Sequence, residues 1–408
     1  MRSPGGKVAS ALAVTVCAAA ALVLWRFAGD ALEPMPPKRI DTSAYRLHVD
    51  RWPLPAGTRR ASLAIAGEDL VLASNDGSLY RAPLPTPGRD APLEWARLPF
   101  SVPIEMAILE RKYGPEWGIA LGMRDIFVDE RPDGTADLYL LYGVYVHAGD
   151  CIVTRVGRIP GFLGQGPAAR IETIYETAPC LPLVNAVDRA GGRLTVRDGQ
   201  MLVAIGTPQD DSRPQEMGDP RTAWAQQWDN PFGKVLRIDL GSRAVSYHTA
   251  GHRNPQGLFW SEDGRVWLTE HGPRGGDELN LLRAGANYGW PAVTYGTDYP
   301  RFTWPPSQQP GRHAGYERPV HAWVPSVGIS QLVQLESADF GRWQGDLLIL
   351  SLKGQTLYRV RLEDDRVVFA EPIPLGHRLR DIAVAEGRVY VVTDFDVLIR
   401  LEPDYARD

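Results

Sequence analysis

Three cysteines and eight histidines in 408 residues leave little material for several common chemistries. No Cys-x-x-Cys pair occurs, so a cysteine-based zinc site is not indicated. No Gly-x-Ser-x-Gly elbow occurs, which removes the usual nucleophile turn of a Ser-His-Asp hydrolase. Positive charge is not in excess: the net charge is −5 and the pI about 6.0, so composition gives no footing for a nucleic-acid partner. Helical periodicity is scarce beyond residue 30. His147, His248, His313, His321 and His377 read singly as polar surface or strand-end residues, and His252 as a brace for its loop.

Glycine and proline are plentiful, at 41 and 34 residues, and they punctuate a cadence. Six times a short turn leads into an apolar run of β-formers, usually followed by a second apolar strand ending near an arginine. The six units begin at Gly67-Glu68-Asp69, Asp133-Gly134, Asp198-Gly199, Asp263-Gly264, Gly345-Asp346 and Glu386-Gly387. Glycine tolerates the positive φ of tight turns, so these are hairpin signals. Self-similar units of roughly 40–50 residues predict blades that bury their faces only against neighbours. The expected fold is all-β, a six-bladed β-propeller over residues 51–408, preceded by one N-terminal hydrophobic helix. A β-sandwich or two smaller β domains is the alternative. A chain that is 44% hydrophobic can fill one such core.

Residues 1–28 read as a signal-anchor or signal peptide, and 29–50 as a linker stiffened by Pro34-Met35-Pro36-Pro37. Val8 to Trp25 carries no charge and is bracketed by Arg2, Lys7 and Arg26. That is just long enough to span a hydrocarbon core, with the positive flank held in the cytoplasm. No clean cleavage motif follows the run, which favours an uncleaved anchor over residues 8–25. Either reading predicts a periplasmic or otherwise extracytoplasmic propeller. Cys151 and Cys180 in an exported β-domain then call for one disulfide; two separate buried thiols is the alternative, since sequence separation does not fix a Cβ distance.

The densest polar stretch comprises Gly251-His252-Arg253-Asn254-Pro255-Gln256-Gly257-Leu258, Thr269-Glu270-His271-Gly272-Pro273-Arg274-Gly275-Gly276-Asp277-Glu278-Leu279-Asn280 and Gly285-Ala286-Asn287-Tyr288-Gly289-Trp290-Pro291. Buried polar groups at strand ends must be satisfied or solvated, so a ligand site is the economical explanation. This stretch closely resembles the soluble pyrroloquinoline-quinone (PQQ) dependent glucose/sorbosone and aldose sugar dehydrogenases, which are six-bladed propellers. The resemblance is strong from Gly191 to Thr393 and weak before Ala186.

It implies oxidation of an aldose at its C1 hydroxyl to a lactone, with PQQ and calcium as cofactors, a small sugar as substrate and an external electron acceptor. Arg253 and Asn254 would lie over the reactive carbonyl of the quinone, joined by Lys353, and Arg378 with Arg380 would bind its carboxylates. Guanidiniums pair bidentately with carboxylates and lysine supplies a point charge, so the types suit a tricarboxylate. The resemblance also gives the backbone carbonyls of Gly272 and Pro273 to a cofactor-bound calcium, and Glu278 with the Tyr288 main chain to a second, structural calcium. Trp323, in a loosely matching segment, is the candidate stacking aromatic.

One departure bears on turnover. The family's base histidine follows an aspartate; here Asp188 is present and Arg189 stands in the histidine's place. A guanidinium stays protonated and cannot be that base, and losing a general base typically lowers the rate by about 10²–10⁴. His271 is one replacement; Asp188 acting with Arg189 as an added cation is another. Two other readings follow: a catalytically impaired propeller that binds carbohydrate or protein, and a calcium-dependent lactonase, for which no Glu-Asn-Asp cage can be assembled.

Overall fold

Each apolar hairpin of the sequence becomes the second and third strand of a blade. The structure, a computed structural model, describes residues 38–86, 92–114, 121–182, 191–208, 222–297 and 312–404. Residues Lys38–Asp408 form one unit. The chain opens with β1 (Lys38–Asp41) and β2 (Arg46–Pro53). Blade 1 is β3 (Ser62–Ala66), β4 (Asp69–Ala73), β5 (Ser78–Pro83) and β6 (Ala96–Ser101), followed by the short helix α1 (Met106–Tyr113). Blade 2 is β7 (Met123–Glu130), β8 (Ala136–Val146), β9 (Cys151–Ile159) and β10 (Glu172–Glu176), with β11 (Leu181–Pro182) also on β9. Blade 3 is β12 (Gly192–Arg197), β13 (Gln200–Ile205), β14 (Lys234–Asp239) and β15 (Val245–Ala250). Blade 4 is β16 (Pro255–Trp260), β17 (Val266–Glu270), β18 (Asp277–Leu281) and β19 (His321–Trp323). Blade 5 is β20 (Ile329–Gln334), β21 (Leu347–Ser351), β22 (Thr356–Glu363) and β23 (Arg366–Pro374).

Blade 6 is built from both ends of the described chain. Strands β24 (Leu379–Ala385), β25 (Arg388–Thr393) and β26 (Val397–Pro403) continue into β2 and β1, and β2 pairs antiparallel with β26 from Leu47 opposite Pro403 to Pro53 opposite Val397. Residues 38–50 are therefore largely strand and not the expected linker. Leu47 and Val49 point inward at alternate positions and are fully buried, the period-2 signature of a half-buried strand. The innermost strands β3, β7, β12, β16, β20 and β24 neighbour one another in turn, and β24 neighbours β3, closing the ring.

Six main hydrophobic clusters fill the six seams between blades. This explains the continuous apolar runs. On β8, Leu138, Leu140 and Tyr142 pack toward blade 1, while Tyr139 and Leu141 pack toward blade 3; a strand buried on both faces has no polar side to show. Cys151 and Cys180 are joined by a disulfide, Cα–Cα 5.7 Å. Among the described residues no helix is long and apolar enough to cross a membrane; the apolar run of residues 8–25 lies outside them.

The six turns that mark the repeat all connect a blade's first strand to its second. Asp198 and Gly199, both at positive φ (49° and 71°), are typical. Because the strands are antiparallel, the loops between second and third strands, and the segments entering each first strand, lie at the other end of the ring. The candidate site residues are found at that end, which we call the mouth.

A cation-lined mouth as candidate active site

Arg253 and Asn254 enter β16, His271 to Pro273 follow β17, Lys353 lies between β21 and β22, and Arg378 enters β24, whose second residue is Arg380. A chain of contacts joins them across the mouth. The Arg253 guanidinium donates through Nη1 to the carbonyls of His271 at 3.0 Å and Gly272 at 2.7 Å, and lies 5.2 Å from the Trp290 ring centroid, a cation–π distance. Asn254 Nδ2 is 3.4 Å from His271 Nδ1. Gln256 Nε2 donates to Asn254 Oδ1 at 3.0 Å, and Arg380 Nη1 reaches Gln256 Oε1 at 3.5 Å. Arg380 and Arg378 then share Asp394, through Nε donations of 2.6 and 2.7 Å to its two oxygens.

The remaining cation is tied in through backbone. Asp277, buried at the start of β18, accepts Gly272 N with one oxygen (3.3 Å) and Val327, Gly328 and Ile329 N with the other (3.1, 2.6 and 3.0 Å). Gly328 O in turn accepts Leu352 N at 2.7 Å, and Val327 O accepts Gly354 N at 2.8 Å, which places exposed Lys353 beside the His271–Pro273 turn. Gly328 has φ +68, and a Cβ there would come within 3.1 Å of Lys353 N, so glycine is required by both the conformation and the approach.

Buried acids fix the first strands. Glu270 accepts Arg253 N at 2.7 Å with one oxygen and meets His252 Nδ1 at 2.9 Å with the other, while His252 Nε2 lies 2.8 Å from Thr249 Oγ1. Deeper on the axis, Arg193 of blade 3 binds Asp125 of blade 2 at 2.8 Å, Asp381 of blade 6 at 3.0 Å and the Gln256 carbonyl of blade 4 at 2.7 Å. Desolvation, reinforced by Asp381 and opposed by Arg193, pushes the Asp125 carboxyl up to about 7.

Electrostatics differ around the mouth. Burial alone would raise the Asp394 carboxyl, but the Arg380 and Arg378 guanidiniums overcome it and hold it below its usual value. Burial lowers the His271 imidazole, Asp277 opposes and Arg253 reinforces the shift; its Nε2 is shielded without a hydrogen-bond partner. Burial, with Glu270 and Asp277 nearby, raises Glu278 well above the ordinary carboxyl range.

The structure thus brings Arg253, Asn254, His271, Gly272, Pro273, Lys353, Arg378 and Arg380 to one mouth. Glu278, the second residue of β18, is buried beside Glu270, and Tyr288, between β18 and β19, packs at the seam with blade 3, its ring stacked on His252 at 4.8 Å. Trp323 does not offer a stacking face. It is 9% exposed, packed with Leu279, Ile329 and Ile349 and set edge-on to His321, because the last strand of blade 4 presents it to the seam with blade 5. Asp188 and Arg189 lie outside the described residues. Among the described residues no three His, Cys, Asp or Glu side chains converge as a metal cluster. The sequence reading missed Asp394, Asp277, Glu270 and Gln256. Glu270, Gln256 and Asp277 sit inside the quoted motifs, and Asp394 follows the strand ending at Thr393.

Residues 118–399 match the family model for glucose/sorbosone dehydrogenase. The chain belongs to that family. An aldose sugar dehydrogenase, YliI of Escherichia coli (strain K12), is 34% identical over 235 residues, covering 52% of this chain and 59% of the relative; the match thus spans somewhat over half the relative's length. Quinoprotein glucose dehydrogenase B of Acinetobacter calcoaceticus is 44% identical over 73 residues, 15% of each chain. Among solved structures, a glucose dehydrogenase superposes with TM-score 0.68 at 28% identity, covering 86% of this chain and 99% of that one. The apo-form of the soluble Escherichia coli aldose sugar dehydrogenase gives 0.66 at 25% identity, covering 87% and 99%.

Proposed function

We propose that this protein is a PQQ-dependent aldose dehydrogenase that oxidises the C1 hydroxyl of a sugar to the lactone and passes electrons to an external acceptor. The observation that carries the reading is the convergence of Arg253, Lys353, Arg378 and Arg380 on one mouth, four cations suited to a tricarboxylate. The relatives named for aldose and glucose oxidation support the same reaction class. When bound, the quinone supplies the two-electron acceptor.

The chain's own residues supply orientation and a proton acceptor. Arg378 and Arg380, held by Asp394, present guanidiniums to carboxylates. Arg253, fixed by the Glu270 grip on its backbone N–H, presents a third cation from across the mouth. Gln256 turns the Asn254 amide so that Nδ2 faces His271 Nδ1, a long contact that a substrate hydroxyl can replace; His271 is our candidate base, since Arg189 cannot serve.

Calcium fits the donor chemistry. The Gly272 and Pro273 backbone carbonyls are oxygens of the kind a hard cation prefers and would hold it, in competition with Arg253, whose Nη1 donates to the Gly272 carbonyl at 2.7 Å. Inside blade 4, Glu278 lies beside Glu270 and buried Asn280 Oδ1 has no partner, an oxygen-rich setting for a second ion at Glu278 and the Tyr288 main chain. The disulfide and the apolar run at residues 8–25 support an extracytoplasmic, membrane-anchored protein.

Reconstitution with PQQ and calcium tests the reading: we expect tight binding and dye reduction with at least one aldose. Absence of both removes it. Arg189 favours a second reading, a propeller that binds the quinone without turnover; dye reduction gained only in Arg189→His would establish it.

A further inference from the structure

At the seam between blades 6 and 1, Asp394 is the one carboxylate among the described residues that pairs with both Arg378 and Arg380. Arg60 enters β3 and its backbone N donates to the Asp394 carbonyl at 3.2 Å. Arg59 bridges Phe395 across the same seam, and Leu54 N donates to Asp396 O at 2.8 Å. These bonds hold the entry of blade 1 against the loop that carries Asp394. Arg60 adopts φ 48°, a left-handed conformation uncommon outside glycine, in the bend that leads into β3. It is exposed, although neighbouring atoms partly desolvate its guanidinium; that desolvation and Arg378 lower its pKa, and Asp394 opposes them.

Both Asp394 oxygens are already taken by Arg378 and Arg380, and the Asp394 side chain is 3% exposed while Arg378 is 41% exposed. Two guanidiniums on one carboxylate leave an excess of about one positive charge, Arg60 is tied by its backbone to the same loop and adds another, and guanidinium is the side chain that matches carboxylates in geometry. We propose that Arg60, Arg378 and Arg380 form a three-arginine site for a polycarboxylate, in which Arg60 supplies a ligand contact from blade 1. The inference rests on the quinone reading for the identity of the ligand, but not for the existence of the anion site. Arg60 lies before residue 118, where the family match begins, so this contact belongs to the part of the chain that the match does not reach.

The test is equilibrium titration of the whole protein with PQQ, followed by absorbance, with no turnover required. Arg60→Gln is expected to bind about tenfold more weakly, the low end for one lost charge-assisted contact, and with a shallower dependence on salt. Arg60→Lys should recover part of the loss, and the trimethyl ester of the quinone should not distinguish wild type from Arg60→Gln. Unchanged affinity in a folded Arg60→Gln overturns the inference and leaves the proposed function standing. If wild type ignores PQQ yet binds benzene-1,3,5-tricarboxylate in an Arg60-dependent way, the quinone reading falls and the anion site stands. Binding of neither probe removes both.

Discussion

The two sides of the mouth use their charges differently. On the blade 4 side the acids are consumed by the chain itself: Glu270 holds Arg253 N and His252, and Asp277 holds four backbone N–H groups. On the blade 6 side one acid, Asp394, is shared by arginines that stay partly exposed. The first arrangement is scaffold, because the acids Glu270 and Asp277 are spent on backbone N–H groups and His252. The second leaves cationic capacity that only a ligand can use. Residues equally polar in sequence therefore differ in what their removal should do.

Asp277→Ala should have the largest effect. Four N–H groups lose their acceptor, and buried donors left unsatisfied each cost about 1–3 kcal/mol; we expect a loss of about 3 kcal/mol or more in urea unfolding, with the Lys353 loop displaced and quinone affinity reduced. Wild-type stability would show that water replaces the carboxylate and that this side is not scaffold. Arg378→Gln should do the reverse. Stability should stay within about 1 kcal/mol, as for a partly exposed ion pair, while quinone affinity falls about tenfold or more in a direct titration.

Asp394→Asn sharpens the contrast. It removes the one negative charge among the arginines, so affinity for benzene-1,3,5-tricarboxylate should rise a fewfold while the thermal midpoint drops modestly. A fall in that affinity would mean Asp394 acts by positioning the arginines and not by neutralising them. The smallest effect concerns the axis below the mouth. The Asp125 carboxyl is raised to about 7 in the fold against 3.8 for the free group, so between those values the native state holds a proton that the unfolded chain releases. Stability from this group is therefore greatest at low pH and declines as pH rises toward 7. Thermal midpoints at pH 5 and pH 8 should differ less in Asp125→Asn than in wild type.

The hairpins of second and third strands were legible because both faces are buried, so Leu138-Tyr139-Leu140-Leu141-Tyr142 shows an unbroken apolar run. The first strands were harder to see, since Pro255-Gln256-Gly257 and Gly192-Arg193 turn polar groups and glycines to the axis. Strands β1 and β2 were hidden by the prolines before them, although the alternation of Leu47 and Val49 was there to read. The motif cations were legible at Arg253, Lys353, Arg378 and Arg380. Their holders were not, because Asp394 reaches Arg378 and Arg380 from the end of the neighbouring strand and Asp277 reaches Gly328 in the next blade, and no spacing rule reports such contacts. Trp323 illustrates the converse: an aromatic near a motif, assigned by the fold to a seam.

The pairing of β2 with β26 has a consequence for synthesis. The ring's closing joint pairs two strands far apart along the chain, so the joint cannot form before β26 has been made. Until β26 arrives, Leu47 and Val49 lack the Ile399 and Leu401 side chains they pack with, and the nascent chain is an open arc that a chaperone or a second arc can engage.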